Sequence, residues 1–443
     1  MLNTLNLRRF LLVASDILLL YLSLLLTVSL GFFRLEREFG WNIFIQHLAP
    51  FSIIYFFWLI IFYIFGLYDL GLIRAKETFR ARIFEAASIA LIVGLAFFYL
   101  FPIFELTPKT NLVLNVLIFT ILVYLWRKIF LAIFSSKFLT KIAIVGETPQ
   151  VQELIKEINS RPHLGYKLIE LQKNRDLASQ IKEKEVNTIL VPPDLIFDSE
   201  LIKNLYQCLP IGIKFLDWTR AYEIIAEKIP VSFINHIWFL ENLGEGKSIF
   251  SDKIKRALDI IYSGIIFAAT LPIWLFVAAL IKLEDGGPTI YIQERIGKNG
   301  KPFMLFKFRS MKPEAEKSTG PLWAEEKDCR ATKIGSFLRK THLDELPQMI
   351  NVLRGDISLV GPRPERPEFV KQLEKEIPHY HLRHIIKPGF TGWAQLKFRY
   401  GRSVIDAKEK FQYDLYYLKN RSLILDAGIL LKTFQLFFKK ERE

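Results

Sequence analysis

Ile260–Ile281 reads IIYSGIIFAATLPIWLFVAALI, a run without a single charge. A helix needs about 20 such residues to cross a bilayer. As a plain span, the run would send everything after it to the far side of the membrane. Its flanks oppose that. Lys253, Lys255 and Arg256 precede it, and Lys282, Arg295, Lys298, Lys301 and Lys307 follow. Positive residues favour the cytoplasmic face, and here they favour it at both ends. Pro272 sits near the middle, where proline removes a backbone donor and bends a helix. Thr270 is placed to bond a freed carbonyl. The expected structure is a re-entrant helical hairpin near residues 255–283 that enters the bilayer, turns at Pro272 and leaves on the same face.

Four earlier apolar segments, Phe10–Phe33, Leu48–Leu67, Ala87–Phe104 and Leu112–Phe134, are each near spanning length. They predict a four-helix transmembrane bundle over residues 1–137. Arg8 and Arg9 precede the first segment without a small-residue cleavage site, so it reads as an anchor and not a signal peptide. Asp16 lies in its first turns. An ionisable residue there is either functional or shallow enough to reach the headgroups, and the shallow placement is favoured. The second loop carries Arg74, Lys76, Arg80 and Arg82, and the exit of the fourth span carries Arg127, Lys128, Lys137 and Lys141. Both ends of the bundle therefore read as cytoplasmic.

Residues 138–235 alternate strands with helices, which predicts a small Rossmann-like α/β domain. Strands are expected at Lys141–Gly146, Leu168–Leu171, Thr188–Val191 and Gly212–Phe215, with a helix from Pro149 to Ile158. A dinucleotide loop needs G-x-G-x-x-G after the first strand. The chain offers Gly146-Glu147-Thr148-Pro149-Gln150, with only the first glycine and a carboxylate that would repel phosphate. The loop is degraded, and a structural role suits the domain better: pairing subunits in a homodimer or positioning the catalytic part. Residues 236–252 read as a linker.

The net charge is +14 among 443 residues. In a soluble chain this would suggest nucleic acid. Here the basic residues flank apolar runs, so membrane lipids and phosphorylated substrates are the expected partners, and nucleic acid is not. Cys208 and Cys329 lack metal-site spacing and read as inert thiols of a reducing compartment.

The chemistry is expected in residues 253–443. Alternation over Pro302–Arg309 predicts a strand with Lys307 and Arg309 on one face, a pair able to hold a diphosphate. A solvated strand face is the plainer alternative. Arg339 and Lys340 lead into Thr341–Pro364, THLDELPQMINVLRGDISLVGPRP. Pro347 is tolerated in a first helical turn and Gly355 suits its end. That puts Asp344 near an N-cap, the favoured local reading, and Glu345 in the first turn. The same helix start would keep Asp344 ionised. An ionised carboxylate can attack a phosphoryl group. A hard divalent cation, Mg2+, would bridge carboxylate and phosphate oxygens at Asp344 and Glu345.

The final ~190 residues resemble the catalytic domain of bacterial sugar transferases, the monotopic polyprenol-phosphate phosphoglycosyl transferases. The resemblance rests on KRALD (Lys255–Asp259), QERIG (Gln293–Gly297), FKFRSM (Phe306–Met311), LDELPQ (Leu343–Gln348), GDISLVGPRP (Gly355–Pro364), KPGFTGWAQ (Lys387–Gln395) and YDLYYLKNRSLILD (Tyr413–Asp426). With the preceding spans and middle domain, the chain looks like a long-form member. The resemblance implies an α/β catalytic domain with a re-entrant membrane helix, on the cytoplasmic face of the bacterial inner membrane. It implies a UDP-sugar as donor and polyprenol (undecaprenyl) phosphate as acceptor, at the start of exopolysaccharide, capsule or O-antigen assembly. Asp344 would be the nucleophile and Glu345 its metal or proton partner. Lys307, Arg309, Arg339 and Arg363 would contact phosphate, and Asp414 would be a further polar site residue. Many relatives follow GWAQ with V-N-G-R-N, where this chain has Leu396-Lys397-Phe398-Arg399-Tyr400-Gly401. That leaves the sugar open, with Arg399 or Arg402 as substitutes. The alternatives are a membrane-anchored nucleotide-sugar modifying enzyme and a non-catalytic scaffold of polysaccharide assembly.

Overall fold

The computed structural model describes residues 2–34, 41–68, 76–101, 109–134, 140–145, 149–160, 166–172, 176–186, 188–192, 195, 198–234, 236–243, 249–312, 330–398 and 403–438. Gly146–Thr148, Cys329, Arg399 and Arg402 lie outside them. The chain separates into two compact units, Met1–Ala226 and Glu227–Glu443.

The first unit opens with four long apolar helices, α1 (Leu2–Arg34), α2 (Trp41–Ile64), α3 (Lys76–Leu100) and α4 (Lys109–Phe134). With a later helix they make five long and apolar enough to cross a membrane, and the chain is a membrane protein. Leu20 and Leu24 of α1, Phe51 and Trp58 of α2, Ala90 of α3 and Phe119 of α4 share one core. Lipid gives apolar helices little reason to associate, so polar contacts between them carry weight. Asn115 donates to Ser23 Oγ at 3.0 Å and accepts from Tyr55 Oη at 3.1 Å. Trp58 Nε1 donates to the Ala90 carbonyl at 2.9 Å.

Asp16 does not reach for headgroups. It is fully buried and pairs with Arg127 at 2.7 Å, and Arg127 is itself 1% exposed. Arg127 is therefore a partner inside the helices and not a free flanking charge. Its charge lies 111 residues from Asp16 along the chain, beyond any local pattern.

The middle segment forms β1 (Thr140–Val145), α5 (Pro149–Ser160), β2 (Tyr166–Leu171), α6 (Leu177–Glu183), β3 (Thr188–Leu190), α7 (Ser199–Gln207), β4 (Lys214–Leu216) and α8 (Trp218–Ala226). The strands make one parallel sheet in the order β2-β1-β3-β4. Ile142–Val145 are buried without alternation, as expected of a strand covered on both faces. Cys208 is a buried thiol.

The second unit begins earlier than the linker expected at 236–252, because His236–Leu243 already form a helix, α9. The apolar run lies within α10 (Ile249–Asp285), one helix of 37 residues. The turn expected at Pro272 is absent, and the proline is carried inside the helix. Thr270 Oγ1 donates to the Ile266 carbonyl at 2.7 Å, not to the Ala268 carbonyl that the missing proline N–H leaves without its helical donor.

One face of α10 follows the folded unit from end to end. Arg256 donates to the Val352 and Leu353 carbonyls at 2.6 and 2.7 Å, and Asp259 accepts from Leu359 N at 3.1 Å. Trp274 packs edge-on against Phe308, with Val277 and Ile281 beside it. Asp285 pairs with Arg309. Within the group near each end these positions are three or four residues apart, which keeps each group on one helical face. Ile261, Ile265, Leu275 and Phe276 on other faces are exposed.

Next come β5 (Ile290–Ile296) and β6 (Pro302–Phe308), an antiparallel pair. They are followed by α11 (Lys333–Lys340), α12 (Gln348–Arg354), β7 (Ser358–Val360), α13 (Pro367–Glu376), β8 (Gly389–Thr391), α14 (Trp393–Lys397), α15 (Val404–Asn420) and α16 (Leu423–Phe438). β7 and β8 pair in parallel.

Removing one member of a buried ion pair leaves an unpaired charge, which costs about 3–5 kcal/mol. Arg127→Met alone should therefore destabilise the helices of residues 2–134 in detergent, and Asp16→Leu with Arg127→Met should recover most of that loss. Thermal unfolding of the purified variants checks both outcomes.

Candidate active site

The two carboxylates sit on a 3-10 turn, Leu343–Glu345, between α11 and α12. His342 takes a left-handed conformation (φ 55°) and ends α11, which redirects the chain into that turn. Neither carboxylate caps a helix. The residue before α12 is Pro347, and no side chain caps that helix. The N-cap reading of Asp344 is corrected, because the 3-10 turn inserts three residues before α12 can begin. Gly355 does end α12 in the left-handed conformation (φ 92°).

Asp344 and Glu345 are 7% and 9% exposed, yet their surroundings differ. Lys307 Nζ and Arg363 Nη2 both reach Glu345 Oε1, at 2.9 and 2.6 Å. Burial would raise the Glu345 carboxyl, but these two cations hold it well below the ordinary carboxylate range. Asp344 makes no hydrogen bond or ion pair among the described residues. Burial, and then the charge of Glu345, push it up to about 6. Its charge is not set by a helix start but is tempered by Lys307, His342 and Arg363.

Lys307 reaches the pair from β6, where it stands in register with Tyr291 and shares that residue's face of the hairpin. Asn351, fully buried on α12, fastens the strand there. Its amide donates to the Met304 carbonyl at 2.7 Å and its oxygen accepts from Phe306 N at 3.0 Å. Arg363 sits on a loop whose backbone is held at almost every residue. Lys255 donates to the Val360 carbonyl at 3.1 Å, Gly389 N to Pro362 at 2.8 Å, Arg383 to Arg363 at 3.0 Å and Arg295 to Pro364 at 3.3 Å. Lys255 also pairs with Asp426 at 2.6 Å, and Tyr417 donates to Asp426 at 2.6 Å. Three of the sequence motifs thus meet at one buried junction behind the loop. Arg363 keeps 44% of its side chain exposed, so it has surface left for a ligand.

The remaining expected site residues are placed differently. Arg309 falls one residue past the end of β6 and turns to Asp285 at the end of α10, so it does not join Lys307 at the carboxylates. Arg339 lies in the last turn of α11 and is not one of the cations on Glu345. Asp414 is 2% exposed and pairs with Arg383 at 2.9 Å, behind the loop and not on the surface of the site. Burial pushes its carboxyl up to about 6 despite Arg383. Arg383 and Asn351 were missed from sequence. Arg383 stands among residues that read as ordinary loop, and Asn351 has no flag beyond a polar residue on an apolar helix face.

A hard cation fits these groups. Magnesium in phosphoryl-transfer sites takes one or two carboxylates and completes its shell with water and substrate phosphate. Asp344 is an acceptor with no donor on it, and both cations on Glu345 occupy the same oxygen. No cluster of three or more acidic, His or Cys residues occurs among the described residues, so a closed all-protein cage is not what this site offers.

An apolar helix fused to a small α/β unit, with two adjacent carboxylates and two cations, defines a membrane-bound phosphate-handling site. The family model for bacterial sugar transferases matches residues 250–440, and the chain belongs to that family. It is 46% identical over 182 residues to the UDP-N-acetylgalactosamine-undecaprenyl-phosphate N-acetylgalactosaminephosphotransferase of Aeromonas hydrophila, a match covering 41% of this chain and 43% of that protein. It is 32% identical to the UDP-glucose:undecaprenyl-phosphate glucose-1-phosphate transferase of Klebsiella pneumoniae and 30% identical to that of Escherichia coli (strain K12). Each of those two matches covers 68% of both chains.

A Cβ at Gly389 would overlap the backbone nitrogen of Gly361, so the β7–β8 contact that anchors the Arg363 loop has no room for alanine. Gly389→Ala should lower the unfolding temperature and expose the loop to limited proteolysis. Gly264→Ala, where the added atom meets nothing within 4 Å, should change neither.

Proposed function

We propose that this chain transfers a sugar 1-phosphate from a UDP-sugar to undecaprenyl phosphate and releases UMP, through a phosphosugar carried on Asp344. The observation that carries this reading is the inequality of the two carboxylates. Glu345 is committed to Lys307 and Arg363, while Asp344 is buried and without a hydrogen bond or ion pair among the described residues. A carboxylate in that state is an available nucleophile. Names among the relatives point to the same substrates, and they divide between N-acetylgalactosamine and glucose.

In the first step an Asp344 oxygen attacks the sugar-linked phosphorus. The bond from that phosphorus to the bridging oxygen breaks, and UMP leaves with the electron pair. In the second step an oxygen of the lipid phosphate attacks the same phosphorus, and the bond to Asp344 breaks. Lys307 and Arg363 orient the phosphates, and the exposed part of Arg363 faces incoming substrate. Asp344 and the unoccupied oxygen of Glu345 would hold Mg2+. When bound, it supplies charge that offsets repulsion between the nucleophile and the diphosphate.

The location of the site obeys the same logic. Both ends of α10 are fastened to one folded unit, Arg256 near its start and Asp285 at its end. A simple span would put those contacts on opposite sides of the hydrocarbon layer, although one folded unit makes both. We therefore place α10 within the membrane without a net crossing, and the unit on the cytoplasmic face that its basic flanks favour. Undecaprenyl phosphate and a soluble nucleotide sugar can meet there.

Asp344→Asn should fold and insert but release no UMP when offered UDP-sugars with undecaprenyl phosphate. It should also trap no sugar label on the protein. Full activity in this variant would overturn the covalent step. Chelation of divalent cations should stop UMP release by the parent protein, and added Mg2+ should restore it. A panel of UDP-sugars in the same assay identifies the sugar.

A further inference from the structure

The site has a second end that the transfer steps leave unused. Lys410 lies on α15 one turn before Asp414, so the two side chains leave the helix on the same face. Asp414 pairs with Arg383, and Arg383 donates to the Arg363 carbonyl. The charges around Lys410 are Glu365, Arg363, Arg383 and Asp414. The other cations here each contact a carboxylate, and Arg363 shares Glu345 with Lys307. Arg363 has Glu345 at 2.6 Å, Arg383 has Asp414 at 2.9 Å and Arg295 has Glu365 at 4.0 Å. Lys410 is the surplus. Among the described residues its ammonium makes no hydrogen bond or ion pair, whereas Glu409 beside it is paired with Lys228 at 2.8 Å. Burial and the two arginines already press on this ammonium to lose its proton. A half-buried surplus cation in such a place is offset best by an anion from outside the chain.

The two ends of the site differ in what they adjoin. Lys307 is followed by Phe308, which packs on the apolar helix α10, and by Arg309, which pairs with its last residue. A polyprenyl chain stays with that apolar surface, so the lipid phosphate enters at the Lys307 end. We propose that Lys410 binds the phosphate that leaves with the nucleotide, at the Arg363 end of the site. This rests on the reading of a UDP-sugar as donor.

Lys410→Met keeps the apolar stem and removes the charge. It should raise KM for the UDP-sugar and the inhibition constant for UMP about tenfold or more, as loss of a charged hydrogen bond does. KM for undecaprenyl phosphate should stay unchanged, and Lys410→Arg should restore both nucleotide constants. An unchanged UDP-sugar KM, or a rise confined to the lipid, would overturn the proposal. The parent protein supplies a test without variants or turnover. Labelling with pyridoxal phosphate and borohydride, read by mass spectrometry, should mark Lys410, and UMP should shield it. Shielding by a short polyprenyl phosphate but not by UMP would sink the assignment. Failure of the parent protein to release UMP from any UDP-sugar would count instead against the donor reading, which the labelling does not depend on.

Discussion

Two carboxylates on neighbouring residues, both buried, repel each other, and the second unit is arranged around that fact. Lys307 and Arg363 converge on a single oxygen of Glu345. The negative charge of the pair is therefore settled on Glu345 first, and Asp344 bears both the burial and its neighbour's field. Such a pair titrates as a unit, and the cations decide which member is the strong acid. If both cations were shared evenly, neither carboxylate would stand apart. The asymmetry is what sets two adjacent acids apart.

Keeping two cations on one oxygen requires that neither can drift. Lys307 is carried by β6, which Asn351 fastens to α12. Arg363 is carried by a loop tied to α10 through Lys255 and to the buried Arg383–Asp414 pair. Arg256 accounts for two of the last carbonyls of α12, the helix after the carboxylate turn. An arginine at a helix C-terminus also meets the negative end of its dipole. The apolar helix is thus part of the frame of the site as well as an anchor. Shifting α10 along its axis would disturb α12 and the Arg363 loop together.

Much of this was legible in the sequence where a periodicity or a turn residue reports on its own neighbourhood. The parallel strands from Thr140 to Leu216 follow from apolar runs separated by helical patterns, and Gly355 follows from the need for a left-handed end. Lys307 was found because strand alternation says which face it takes. The misses have a common cause, a partner distant in sequence or an element end one residue away. Arg309 shares the parity of Lys307 but lies past the strand, where Asp285 captures it. Asp16 at a shallow depth reads as headgroup-bound until Arg127 is seen beside it. Asp414 reads as a further polar residue of the site, since nothing local to it announces Arg383. Pro272 announces a break, yet a helix packed along one face over its whole length can absorb one missing hydrogen bond.

The same packing bears on how a lipid phosphate and a nucleotide sugar would share one site in the proposed reaction. A polyprenyl phosphate is confined near an apolar surface, and a nucleotide sugar arrives from water. An enzyme that attacked both from the same side would need each to displace the other completely. Here Glu345 is met by Lys307, whose strand neighbour Phe308 packs on α10, and by Arg363, whose backbone is held by Arg383 and through it by Asp414 of α15. In the proposed reaction, departure of the nucleotide from one end would leave the other available to the lipid phosphate while the sugar phosphate stays on Asp344. A covalent intermediate suits that geometry, because it holds the transferred group in place while the partner on each side changes. In the proposed reaction the division of the two carboxylates and the division of the two ends are one arrangement, with Asp344 as the fixed point that both substrates would approach in turn.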